Sequence, residues 1–226
     1  MLRRRKARNR IGQKAAERRA RLDLGVPLPD VRVPVPVHVR DVVECREMRR
    51  RREIGQRTIF NVLGPLTNPA GAPNQVLGVF SKELVKPMAK VLKKLDSNHV
   101  MVVHAKDGLD EISINRKTCV AELKNGHIRE YKIRPGDFGM KRASLDTIRA
   151  DSVEDSLRII NEVLDNRPGP ARDIVCLNAG AAIYTAGVAV SLEQGVALAA
   201  DSIASGKARE KLRQLVELTR SFKQPE

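Results

Sequence analysis

The chain has 226 residues, 42% of them hydrophobic, which is enough for one large domain or one and a fraction with a core of ordinary size. Aromatic residues make up only 3%, so that core is aliphatic. No run of about 18 apolar residues occurs, which excludes a membrane-spanning helix, and the basic N-terminus lacks the apolar segment of a secretory signal.

The net charge of +15 suggests a nucleic-acid binder until it is divided along the chain. Residues 1–57 hold 18 Lys/Arg against 7 Asp/Glu, whereas residues 58–226 hold 24 against 20. The excess therefore belongs to one segment. Three cysteines, Cys45, Cys119 and Cys176, are far apart and odd in number. They read as reduced thiols of a cytoplasmic protein, not as a disulfide frame or a zinc site.

Residues 1–50 form a basic, proline-containing segment, expected to be poorly ordered in part, because no apolar period persists for three turns. Four prolines within residues 25–37, "GVPLPDVRVPVPV", forbid a helix there and weaken any ladder. From residue 51 onward the texture becomes that of a globular α/β domain, and "RTIFNVL" predicts a short helical piece. "QVLGVF" (75–80) predicts a buried strand. Residues 81–96 predict a helix with Ser81 as N-cap and a lysine-rich end, followed by a second buried strand, "HVMVVHA" (99–105). Strand, helix and strand with short joints predict a parallel βαβ unit.

Two alternating runs flank Asn125-Gly126 within residues 118–133, the strongest short-range hairpin signal. Residues 151–165 predict an amphipathic helix capped by Ser152. The small-residue stretch 171–189 predicts a helix that could be buried all round. Residues 191–206 predict another, stopped by Gly206, and residues 207–222 a closing amphipathic helix.

Candidate chemistry lies in two loops. In "HAKDGLDEIS" (104–113), Asp107, Asp110 and Glu111 follow the C-terminal end of a parallel strand, the edge where open α/β sheets bind ligands. The adjacent Asp110-Glu111 pair offers hard oxygen ligands that suit Mg²⁺, or else it is a solvated acidic turn. In "NVLGPLTNPAG" (61–71), Gly64 permits close backbone approach and Pro65 stiffens the wall, either around a flat ligand or merely in a structural turn. The four histidines show no ligand spacing, and only His104 stands beside the acids. No phosphate-binding P-loop, dinucleotide-binding glycine pattern or hydrolase nucleophile elbow is present.

The strings "RREIGQRTIFNVLGPLTNPAGAPNQVLGV", "DGLDEIS", "DSVEDSLRIINEVL" and "LNAGAAIYTAG" closely resemble the anthranilate phosphoribosyltransferases of tryptophan biosynthesis, in order and spacing, from about Arg51 to the C-terminus. The resemblance implies transfer of the phosphoribosyl group from phosphoribosyl pyrophosphate to anthranilate with release of pyrophosphate, and use of Mg²⁺. It implies a nucleoside phosphorylase/phosphoribosyltransferase-type catalytic domain, with a mainly parallel sheet flanked by helices, in a cytoplasmic homodimer. By the same resemblance Asp110 and Glu111 hold the metal, Arg51 engages the anthranilate carboxylate, and Gly64-Pro65 lines the anthranilate channel.

The resemblance weakens toward the N-terminus. The family's Gly-rich phosphate loop has no counterpart here, and of its Lys-His-Gly-Asn-Arg motif, "KARNR" keeps Lys6 and Asn9 (with Arg10) as substrate-binding candidates. Residues 1–50 are therefore expected to be a damaged, rearranged or frame-shifted version of the family's small helical domain, with residues 51–226 as the catalytic α/β domain. Impaired turnover and exposed apolar helix faces are expected to follow. The alternatives are a pyrimidine nucleoside phosphorylase relative, or a nucleic-acid binder on the same fold using the basic arm. That arm has no aromatic residue for base stacking.

Overall fold

The computed structural model describes Leu66 and residues 71–222. Residues 71–222 lie within one compact unit, Thr58–Glu226. Their first strand, β1 (Asn74–Gly78), leads through α1 (Lys82–Lys94) to β2 (His99–Ala105), which pairs with β1 in parallel. This is the expected βαβ unit. Helix α1 buries Val85, Met88, Ala89 and Leu92, the i, i+3, i+4, i+7 stripe of an amphipathic helix, and tolerates Pro87 in its second turn. Ser81 stands at the N-cap position but does not cap with its side chain; its hydroxyl goes to the Glu83 carboxylate instead.

Strands β3 (Thr118–Lys124) and β4 (His127–Ile133) form the expected hairpin. Both residues of its turn have positive φ, Asn125 at 51° and Gly126 at 76°, the backbone that Asn-Gly supplies at little cost. The sheet order is β1-β2-β3-β4. Among the described residues the mainly parallel sheet of the expectation is one parallel ladder, β1–β2, and two antiparallel ones, because the chain reverses in the long loop after β2 and again at Asn125-Gly126.

β2 explains the layering. Val100 and Val102 pack with α1 on one face, while Met101 and Val103 pack with helices on the other. A strand covered on both faces reads as a continuous apolar run, not as an alternating one. The second layer of helices is α2 (Val153–Leu164), α3 (Pro170–Thr185), α4 (Leu192–Ala204) and α5 (Lys207–Ser221). Ser152 caps α2 as expected, its hydroxyl accepting from the Asp155 amide at 3.0 Å.

α3 and α4 touch backbone to backbone. A Cβ on Gly180 would lie 2.6 Å from the Val196 amide nitrogen, and one on Gly195 would lie 2.3 Å from the Gly180 carbonyl oxygen. Here glycine is required by space. α3 is not buried all round: Val175 is 41% exposed, and the helix ends at Thr185 before Gly187 takes a φ of 76°. Exposed apolar residues occur on α2 (Val153, Leu157, Ile160) and along α5 (Leu215, Leu218). No helix among the described residues is long and apolar enough to cross a membrane. The short helical piece expected at residues 57–63 lies outside the described residues.

Candidate active site

The C-terminal end of β2 is tied down before the acidic loop begins. His104 Nδ1 lies 2.8 Å from the Val79 carbonyl oxygen, so that nitrogen carries the proton and donates, joining the exits of β1 and β2. The Ala105 amide donates to Leu109 O at 2.9 Å, and the Gly108 amide donates back to Ala105 O at 3.0 Å, with Gly108 at a φ of 95°. Lys106 N donates to Lys117 O at 2.9 Å and closes the loop's neck.

Ser113 organises the base of the loop. Its amide donates to Thr118 Oγ1, and its hydroxyl donates to Asp107 Oδ2 at 2.5 Å while accepting from the Asn115 and Arg116 amides. Ile112 and Ile114 are buried on either side. Ile112 is also held from α3: its amide donates to Asn178 Oδ1 at 2.9 Å, and Asn178 Nδ2 donates to Ile112 O at 3.0 Å. On the other flank a Cβ on Gly78 would lie 1.5 Å from the Asp110 carbonyl oxygen, so the loop backbone is seated directly on the end of β1.

On this fixed base Asp110 and Glu111 are both exposed, and neither carboxylate has a hydrogen bond or ion pair among the described residues. Asp107 is different: it is half-buried, bonded to Ser113, and its Oδ1 is shut from solvent without a partner. Among the described residues no three His, Cys, Asp or Glu side chains converge as a metal cage. Two free adjacent carboxylates fit a hard cation that keeps water and takes further oxygens from a phosphate-bearing substrate, the habit of Mg²⁺. They do not make a structural zinc site, which takes a closed set of four ligands, mostly nitrogen and sulfur.

Two surface cavities lie elsewhere, one of about 410 Å³ beside Gly139–Ala143 and the start of α3, the other of about 380 Å³ between α1 and the hairpin. Neither is lined by Asp110 or Glu111. The acids stand on an open edge.

Of the residues singled out from the sequence, His104, Asp107, Asp110 and Glu111 gather at this one edge. Arg51, Gly64, Pro65, Lys6 and Asn9 lie outside the described residues. Sequence reasoning missed Asn178 and Ser113. A polar side chain inside an Ala/Gly-rich helix was the available signal for the first. Nothing local marked the second.

Comparison with known proteins fits this geometry. The family described as "Glycosyl transferase family, a/b domain" matches residues 45–209. An anthranilate phosphoribosyltransferase from Laribacter hongkongensis (strain HLHK9) is 61% identical over 169 residues, covering 75% of this chain and 49% of that protein. The crystal structure of the enzyme of that name (TrpD) from Thermus thermophilus superposes with a TM-score of 0.68 at 42% identity, over 75% of this chain and 50% of the other. The Saccharomyces cerevisiae enzyme, solved in complex with PRPP and Mg, gives a TM-score of 0.68 at 29% identity, over 76% and 50%. The chain spans about half the length of the curated relatives it matches. With the matched segment covering most of its length, the chain belongs to the glycosyl transferase family, a/b domain.

Proposed function

We propose that this chain carries the α/β portion of an anthranilate phosphoribosyltransferase and takes part in moving the phosphoribosyl group from phosphoribosyl pyrophosphate to anthranilate. The observation that carries this reading is the unpartnered Asp110-Glu111 pair, held out from a rigid loop at the C-terminal end of a parallel strand. The 61% identity to an enzyme of that name supports it. The domain boundary near residue 50, a homodimer and a cytoplasmic setting belong to the same reading.

In the reaction the anthranilate amine forms a bond to ribose C1 while the C1–O bond breaks. Pyrophosphate leaves with that electron pair, and the new ammonium gives a proton to solvent. Asp110 and Glu111 would hold Mg²⁺. When bound there, the metal supplies positive charge against the leaving group.

The chain's own task is to keep the two carboxylates where that charge is needed, which the seated loop does without reorganisation. Arg51 would orient the anthranilate carboxylate by a forked pair of hydrogen bonds. Gly64 and Pro65 would wall the aromatic ring, and Lys6 and Asn9 would contact the sugar pyrophosphate. The amine is already nucleophilic, so positioning carries most of the catalysis.

The test is a fluorescence assay for phosphoribosyl-anthranilate with Mg²⁺. A slow rate is expected, reduced a further ~100-fold by Asp110→Asn, as for loss of a main electrostatic group. A rate that survives Asp110→Asn overturns the role given to the pair.

A further inference from the structure

The backbone that carries the acids is held by contacts that come from far away in the chain. At Asp110 itself, the carbonyl rests on the bare Cα of Gly78. After them, Ile112 has its amide and its carbonyl both engaged by one side chain, Asn178, 66 residues later on α3. The Asn178 amide nitrogen also donates to Ile174 O at 3.0 Å, one turn back, which fixes its rotamer against the helix. A primary amide that accepts from N–H and donates to C=O of the same residue copies one rung of a β-ladder. It therefore holds the loop backbone in register with α3, as a neighbouring strand would.

We propose that Asn178 is a positioning residue for the Asp110-Glu111 pair, fixing the loop so that both carboxylates can serve one cation. The inference rests on the metal role given to those acids above. Asn178 does not itself meet a substrate. It acts through Ile112, and outer contacts that orient metal-binding groups typically change affinity ~10- to 100-fold when removed.

The full chain is titrated with Mn²⁺ alone, following free Mn²⁺ by electron paramagnetic resonance, and the Ile112 amide is followed by hydrogen exchange. Four variants are compared: Asn178→Ala, Asn178→Asp, Asp110→Asn and Thr185→Ala. Thr185 is buried on the same helix, and its hydroxyl bonds only to that helix's carbonyls, at Ala181 and Ala182. Its variant reports what general weakening of α3 does.

Asn178→Ala is expected to weaken Mn²⁺ binding ~10-fold and to speed exchange at Ile112, while Thr185→Ala leaves the affinity unchanged. Asn178→Asp keeps the acceptor but loses the donor, so an intermediate weakening is expected; it also serves if the alanine variant fails to fold. Wild-type affinity in both Asn178 variants, beside a loss in Asp110→Asn, overturns the positioning role and leaves the metal pair standing. Equal affinity in the wild type and Asp110→Asn overturns the metal reading, and this inference with it.

Discussion

At the start of β2, His99 Nε2 donates to Glu122 Oε1 at 2.8 Å, Tyr184 donates to the same oxygen at 2.8 Å, and Tyr131 donates to Oε2 at 3.0 Å. Lys124 completes the cluster, donating to the Tyr184 hydroxyl at 3.0 Å with its ammonium 4.4 Å from that ring's centre. At the other end of the same strand, Asp110 and Glu111 have no partner among the described residues and face solvent. Burial pushes the Glu122 pKa up, but the hydrogen bonds from His99, Tyr184 and Tyr131 outweigh it and hold the group at about 2. Burial, and then the Glu122 charge, pushes the Tyr131 hydroxyl well above its usual range, so it stays a donor.

The difference corrects a common inference. A strongly shifted carboxylate often marks an active site, yet Glu122, held at about 2, has both oxygens taken by internal donors. The acids available for chemistry are those whose oxygens are left over. A closed cluster specifies the fold, and an open pair on a fixed loop can bind.

Four measurements would break or sharpen that comparison. The largest effect is expected from Gly78→Ala, whose Cβ would fall 1.5 Å from the Asp110 carbonyl oxygen. Only backbone movement relieves that overlap, so a loss of about 3 kcal/mol or more in urea unfolding, or failure to fold, is expected. An unchanged midpoint would mean that the loop is not seated on β1.

Glu122→Gln comes next, at about 3 kcal/mol, because an amide NH₂ is set among side chains that all donate. A cost below about 1 kcal/mol would show that the cluster is not closed. Acid should reveal the same group. The folded-state pKa of Glu122 is depressed to about 2 from an ordinary 4.5, so between those values the unfolded chain binds the proton and the folded chain does not. Its stabilisation is whole above that window and fades as pH falls through it. The gap in Tm between wild type and Glu122→Gln should therefore shrink on acidification below about pH 4.5, and a constant gap would count against the network.

The smallest effect is expected from Asp110→Asn and Glu111→Gln, within about 0.5 kcal/mol of wild type, since exposed and unpaired side chains contribute little to folding. Loss of more than that in either variant would expose a hidden partner and erase the contrast between the two ends.

Much of this domain is written locally. The unbroken apolar run of β2 reflects cover on both faces, and Asn125-Gly126 turns the hairpin because those two residues accept positive φ. Ser152 caps α2 with its own hydroxyl. The placement of Asp110-Glu111 after a strand was readable for the same reason: sequence adjacency carries a residue to the end of its element. Local rules failed where a competing partner was close. Ser81 has the right residue type for a cap, and its hydroxyl went to Glu83.

By itself, then, the amino-acid order determined the elements, their turns and the position of the two acids, since these depend on neighbours within a few residues. Only the tertiary structure decided which carboxylate is consumed and which is free. Glu122 meets His99 23 residues away and Tyr184 62 away, and Ile112 meets Asn178 66 away. It also gave Gly78 its purpose, by laying the Asp110 backbone on it. Such contacts depend on how sheet and helices stack, and a hydrogen bond across that stack leaves no periodic trace in the chain.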